Sequence, residues 1–158
     1  MSTRQNLYVG RAGQLAVMAE LLWRGWNTAL PEVDVGDDVF VVKDDSGELS
    51  RVQVKTATAR AQKGGYSATF KVALNQLRRP RTPDLAYVFA IRGASGWEPF
   101  VIIEREALLD EHEFQAVGSV SQRSVVFRFV LSAGRLICSG RDFTPYRDDW
   151  SRWPILAH

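Results

Sequence analysis

Hydrophobic and polar positions alternate through two nearby stretches, Gly36-Asp-Asp-Val-Phe-Val-Val42 and Arg51-Val-Gln-Val-Lys-Thr56. β-Branched residues favour a pleated, half-buried surface, so both read as short strands. Strand side chains have period two, so Gln53 and Lys55 leave one face while Val52 and Val54 leave the other. Between the strands, Lys43-Asp-Asp-Ser-Gly-Glu48 has the Asp, Ser and Gly of a hairpin turn. A hairpin brings Asp37 and Asp38, at the start of the first strand, beside Gln53 and Lys55, near the end of the second. A carboxylate, an amide oxygen and an ammonium group then share one patch. Oxygen ligands suit Mg²⁺, and a lysine can hold a phosphate or a water.

The same patterning predicts the remaining elements. Residues 10–24 read as a helix with Leu15, Met18, Ala19 and Leu22 on one apolar face, stopped by Gly25. Gln14 lines up with Val17, Met18 and Leu21, which turns it inward, whereas Glu20 lies about 120° around the helix. Trp26–Leu30 is a short strand ended by Pro31. Ala57–Gly65 reads as a mobile basic loop and Tyr66–Ala73 as an alternating strand. Residues 75–83 form a turn rich in arginine and proline. Leu85–Ile91 is nearly all apolar, as a central strand is. Pro99–Ile103 is the next strand and Glu104–Glu113 a short helix with Ala107, Leu108 and Leu109 inward. Ser124–Leu131 alternates again and pairs with Arg135–Cys138 across a turn. In the tail, Trp150 and Trp153 are spaced for one helix face, and such aromatics seal a core or interface more readily than they stack on bases.

Composition changes this picture in three ways. The chain has 158 residues and 46% hydrophobic content, enough for one domain with a real core. No apolar run approaches the ~18 residues of a membrane span. Met1–Tyr8 is polar and no apolar segment follows, so no secretory signal is expected and a cytoplasmic protein is the simplest expectation. One cysteine, Cys138, with His112 and His158, leaves no basis for a disulfide or a zinc cluster.

Charge is lopsided, although the net is only +2. From Glu32 to Glu48 there are seven acids and one base, Lys43. From Arg51 to Pro83 there are eight bases and no acid: Arg51, Lys55, Arg60, Lys63, Lys71, Arg78, Arg79 and Arg81. Acids that hold a cation, followed by bases that neutralise phosphates, are what a phosphodiester-handling protein needs. Arg78-Arg79-Pro80-Arg81 is a candidate phosphate clamp.

An acid opening one strand, with Gln53-Val-Lys55 on the next, resembles the PD-(D/E)XK nuclease superfamily. It is most similar to the Gln-x-Lys branch of group I intron homing endonucleases, and more distantly to Holliday-junction resolvases. The resemblance covers residues 10–56 best. It implies that Asp38 and Gln53 bind Mg²⁺ or Mn²⁺, that Lys55 is the catalytic lysine, and that DNA is cut by a homodimer or higher oligomer. It implies DNA contacts from Arg60, Lys63, Lys71, Arg78, Arg79 and Arg81. It also places a third metal ligand on the leading helix, at a position where the family has glutamate and this chain has Gln14. Asp38, Gln53 and Gln14 together carry one negative charge, which Lys55 cancels. A second carboxylate would come from Asp37 or Asp34, or the shell would be completed by substrate phosphate.

The expected fold is α/β: a restriction-endonuclease-like central mixed β-sheet flanked by helices, in a single nuclease-like domain spanning residues 1–158. The expected function is a metal-dependent DNA endonuclease. The alternative is a catalytically weakened nuclease-like module that binds DNA or a protein partner, with the acidic stretch from Glu32 to Glu48 able to dock a basic protein.

Overall fold

The computed structural model describes residues 2–157; Met1 and His158 lie outside the described residues. The chain opens with helix α1, Thr3–Trp23, followed by β1 (Asn27–Ala29), β2 (Val39–Lys43) and β3 (Glu48–Thr58). Next come β4 (Arg60–Gln62), β5 (Gly65–Ala73), α2 (Leu74–Arg78), β6 (Leu85–Arg92) and β7 (Val101–Glu104). Helix α3 (Arg105–Gln115) precedes β8 (Ser119–Ser121), β9 (Ser124–Ser132), β10 (Arg135–Cys138) and β11 (Arg141–Asp142).

Five strands form a mixed sheet in the order β1-β2-β3-β6-β7. β2 and β3 are the expected antiparallel hairpin, with Val39 opposite Val52 and Lys43 opposite Glu48. β3 and β6 run parallel, with Gln53 beside Tyr87 and Lys55 beside Phe89. The period-two reading holds because each face of this sheet has its own cover. Val39, Val41, Val52, Val54, Ala86 and Val88 pack against Val17, Leu21 and Trp26 of the first helix region. The tail closes the same layer: Trp150 and Trp153 are buried there, and Trp26 Nε1 donates to the Pro154 carbonyl at 2.9 Å.

The opposite face of β6 meets a second sheet that the sequence reading did not foresee, in the antiparallel order β11-β10-β9-β5-β4 with β8 also on β9. Phe89 sits edge-to-face with Phe70 at 4.9 Å and with Phe129 at 5.2 Å, locking the two sheets. Three of its strands, β5, β9 and β10, were legible in the sequence, as was the β9–β10 pairing, whereas β4, β8 and β11 were not. The β5–β9 pairing was not legible, because it joins segments more than fifty residues apart.

Four local expectations need correction. The helix starts at Thr3, capped by the Ser2 hydroxyl, which accepts from Gln5 N at 3.2 Å. Its buried face carries Gly13, Val17 and Leu21, as the inward alignment of Gln14 required, while Leu15, Ala19 and Leu22 are exposed. The expected basic loop is strand: β3 continues through Thr58 and β4 forms a hairpin with β5. The arginine-rich turn begins with α2, and Trp150 and Trp153 lie in turns rather than on a helix. Gly25 does end α1, at φ +92°, with Gly25 N on Leu22 O and Trp26 N on Leu21 O. No helix of the described residues is long and apolar enough to cross a membrane.

Candidate active site

Asp38 stands one residue before β2, and its N–H donates to Val52 O at 2.8 Å. The strand has not begun there, and the side chain turns toward the middle of β3. Its Oδ2 accepts from Val54 N at 2.8 Å and from the Gln53 amide. Gln53 is buried, and its Oε1 accepts from Gln76 Nε2 at 3.0 Å. Gln76 Nε2 also donates to Gly36 O at 2.8 Å, and Tyr87 OH donates to Gln76 Oε1 at 3.1 Å. A relay of polar groups from Tyr87 through Gln76 and Gln53 to Asp38 therefore fixes which way each amide points.

Gly36 permits this approach. It adopts φ +97°, and a Cβ there would lie 2.5 Å from Gln76 Nε2. Helix α2, which carries Gln76, is held by the buried Arg105, whose Nη1 donates to Leu77 O at 2.7 Å while its Nε binds Asp84.

Lys55 is half-buried two residues beyond Gln53, in a cleft of about 480 Å³ lined by Asp34, Gln53, Lys55, Gln76, Arg79 and Arg81. Burial lowers the Lys55 ammonium below its usual pKa, against the attraction of Asp38 and Asp34. Burial also raises the Asp38 carboxyl, opposed by the Val54 N–H bond and by Lys55. Burial thus favours the neutral form of both groups, and their mutual attraction opposes it.

The two further aspartates separate. Asp37 is buried and bridges two guanidiniums, Arg51 at 2.7 Å and Arg81 at 2.9 Å, so both its oxygens are occupied. Asp34 is exposed at the cleft rim, and its Oδ1 accepts from Gly36 N at 2.9 Å. Asp34 is thus the second carboxylate at the cleft.

Gln14 reaches the site through backbone. Its Nε2 donates to Asp38 O at 2.7 Å, and its Oε1 accepts from Arg11 at 2.6 Å. Its oxygen already faces a cation. Gly13 makes the reach possible, because a Cβ there would sit 2.1 Å from Thr56 Oγ1 and push the helix off β3. Glu20 pairs with Arg24 at 3.1 Å, away from the cleft.

The basic block divides three ways. Arg51 and Arg81 are tied to Asp37, and Arg78 donates to Glu113 at 2.9 Å, so the expected clamp of Arg78, Arg79 and Arg81 is mostly internal pairing. Arg79 stays exposed at the cleft. Arg60 and Lys71 lie on the outer face of the second sheet with Arg128, all exposed and without an ion-pair partner among the described residues; the exposed Lys63 is at the adjoining β4–β5 turn. Asp34 was named from the sequence as a candidate second carboxylate, whereas Gln76, Tyr87 and Arg128 were not singled out and carry no motif signal.

Among the described residues no three or more His, Cys, Asp or Glu side chains gather as a metal cluster. The oxygens at hand are the Asp38 Oδ1, which has no hydrogen-bond partner among the described residues, the Gln53 Oε1 and the Asp34 carboxylate. An all-oxygen set this sparse fits a hard cation that keeps several waters and takes its remaining ligands from a substrate phosphate.

No family model matches the chain, and no curated protein matches it. The mixed sheet flanked by helices is similar in fold to solved structures. One of them is a bacterial homing endonuclease, I-Ssp6803I. The likeness has a TM-score of 0.56 and 20% sequence identity, and covers 96% of this chain and 90% of that chain.

Proposed function

We propose that the chain is a metal-dependent DNA endonuclease of the PD-(D/E)XK kind, with Gln-x-Lys in its third motif and residues 1–158 as one cytoplasmic nuclease domain. The observation that supports it is that Gln53 and Lys55 line one polar cleft, with the Asp38 carboxylate bonded to the Gln53 amide behind it and close enough to act on the Lys55 charge. Asp38 and Gln53, with Asp34 from the loop, would hold Mg²⁺ or Mn²⁺. Bound there, the cation supplies charge stabilisation to the phosphoryl oxygens.

Lys55 orients the attacking water. Its lowered pKa leaves a larger neutral fraction to accept the water's proton as the new P–O bond forms and the bond to the departing sugar oxygen breaks. Gln76 holds the Gln53 oxygen in place, and Gln14 fixes the Asp38 backbone. Gln14 serves as a positioning residue, since its oxygen is committed to Arg11. Arg79 stands where a phosphate would enter, and Arg60, Lys63 and Lys71 offer the backbone contacts. Cutting both strands of a duplex calls for two copies of such a site, hence a homodimer or higher oligomer.

A second reading rests on one specific observation, the Arg11 guanidinium on the Gln14 oxygen. Cationic charge there weakens a cation site, as expected of a DNA-binding module that has lost catalysis. Plasmid nicking with Mg²⁺ or Mn²⁺ tests both. Lys55→Met is expected to cut at least ~10²-fold more slowly while keeping most DNA affinity. Wild-type protein that binds DNA and never cuts it selects the second reading.

A further inference from the structure

Helix α1 is apolar on two opposite sides. Its inner side, Gly13, Val17 and Leu21, is covered by the five-stranded sheet. At ~100° per residue, Tyr8, Ala12, Leu15, Ala19, Leu22 and Trp23 lie together on the side facing away. All six are exposed: Tyr8 66%, Leu15 49%, Leu22 53% and Trp23 71%, with Ala12 and Ala19 in the same class. The helix has 21 residues and carries charge only at Arg4, Arg11 and Glu20, the two arginines lying exposed along the edge of this outer side. A helix that is hydrophobic around most of its circumference is a buried helix, and here one side still lacks its cover.

We propose that this outer seam is where a second copy of the chain docks, in an antiparallel α1–α1 pair about a two-fold axis at Leu15. The seam is self-complementary in that arrangement, and the antiparallel sense is favoured by the helix dipoles. Tyr8 and Leu22 stand seven residues either side of Leu15, so each meets the other across the axis while Leu15 meets Leu15. Ala12 and Ala19 alternate with the large residues as holes alternate with knobs, which lets helix axes approach to about 8 Å. Antiparallel packing also sets each helix dipole against its opposite.

The area suffices. At ordinary side-chain areas the six residues expose roughly 600 Å² per copy, so a pair buries about 1,200 Å², the lower bound for a stable specific interface. A membrane surface is the wrong occupant, since an interfacial helix keeps a Lys/Arg-rich polar face opposite its apolar one, and here that opposite face is core. The proposal rests on no part of the nuclease reading.

Sedimentation equilibrium of the full chain over a wide dilution series tests it, with circular dichroism to check folding. Wild-type protein is expected to dimerise. Leu15→Lys, which places like charges at the axis on an exposed position, is expected to weaken the dimer at least about tenfold while leaving the fold intact. Cysteine cross-linking reads the geometry, and the native Cys138 is buried and does not compete. Tyr8→Cys combined with Leu22→Cys is expected to form a disulfide between copies, and Tyr8→Cys alone is not. A monomer at every concentration, a dimer that Leu15→Lys leaves unchanged, or equal cross-linking by Tyr8→Cys alone overturns the proposal.

Discussion

Replacing Gln14 by glutamate separates a positioning role from a ligand role, and its effect can be worked from the geometry. Gln14 Nε2 donates to Asp38 O at 2.7 Å, and glutamate has no donor to offer. The carbonyl loses its partner and faces an anion, which costs about 1–3 kcal/mol at a half-buried site. Arg11, 2.6 Å from the Gln14 oxygen, gains a charged acceptor and returns roughly 0.5–1 kcal/mol. The net loss without divalent cation is then about 1–2 kcal/mol, a fall in Tm of roughly 2–8 °C for a chain of this size. A divalent cation should reverse the sign of the comparison. A second carboxylate beside Asp38 strengthens a hard-cation site, and a ligand at a hundred times its Kd stabilises the fold by ~2.7 kcal/mol. Thermal melts in chelator and in Mg²⁺, for wild type and Gln14→Glu, provide the assay. The variant should melt lower in chelator and gain more than wild type from Mg²⁺. No fall in chelator refutes the anchor. A fall that Mg²⁺ does not repair beyond its effect on wild type refutes the cation site beside Asp38.

Two other outcomes follow from the ion pairing. Alanine at Arg60, Lys71 and Arg128 together should flatten the salt dependence of DNA binding by up to about 3 log–log units, near 0.9 per lost phosphate contact, whereas Arg78→Ala should leave the slope unchanged because Glu113 already holds that guanidinium. Asp37→Ala strands Arg51 and Arg81 around a buried gap and should lower the unfolding free energy by about 3–5 kcal/mol in urea titration, a loss that Asp37→Asn partly recovers.

Much of the fold was legible because burial imposes a period. Val52 and Val54 alternate with Gln53 and Lys55 since one face of β3 meets α1 and the other turns to the cleft and second sheet. The same logic misled on α1. Its sequence has two apolar faces, and Leu15, Ala19 and Leu22 make as regular a stripe as Val17 and Leu21. Periodicity detects a stripe but does not say which stripe a sheet will cover. That choice is made by Gly13, the one position where the helix can rest directly on Thr56. The basic run was legible as composition, but not how its charges are paired, because partners distant in sequence decide which arginines stay free. Glu113 pairs with Arg78, while Arg60, Lys71 and Arg128 have no ion-pair partner among the described residues.

Adjacent aspartates show why the site could be read only in part. Asp37 and Asp38 are the same residue type, one position apart, at the mouth of the same hairpin. Both precede β2, and their side chains enter different surroundings. Asp37 meets Arg51 across the hairpin and Arg81 from forty-four residues further on, and becomes a structural anion with both oxygens paired. Asp38 meets a backbone N–H and an amide, keeps one oxygen without a protein partner among the described residues, and is raised in pKa because nothing compensates its burial fully. The hairpin is local, so the sequence could place both acids at its mouth. The division of labour depends on Arg81, Gln76 and Tyr87, which arrive through β6 and α2. The Asp38 carboxylate, just before β2, has no arginine partner among the described residues while its neighbour holds Arg51 and Arg81, and this is why Asp38 is the acid we propose for chemistry.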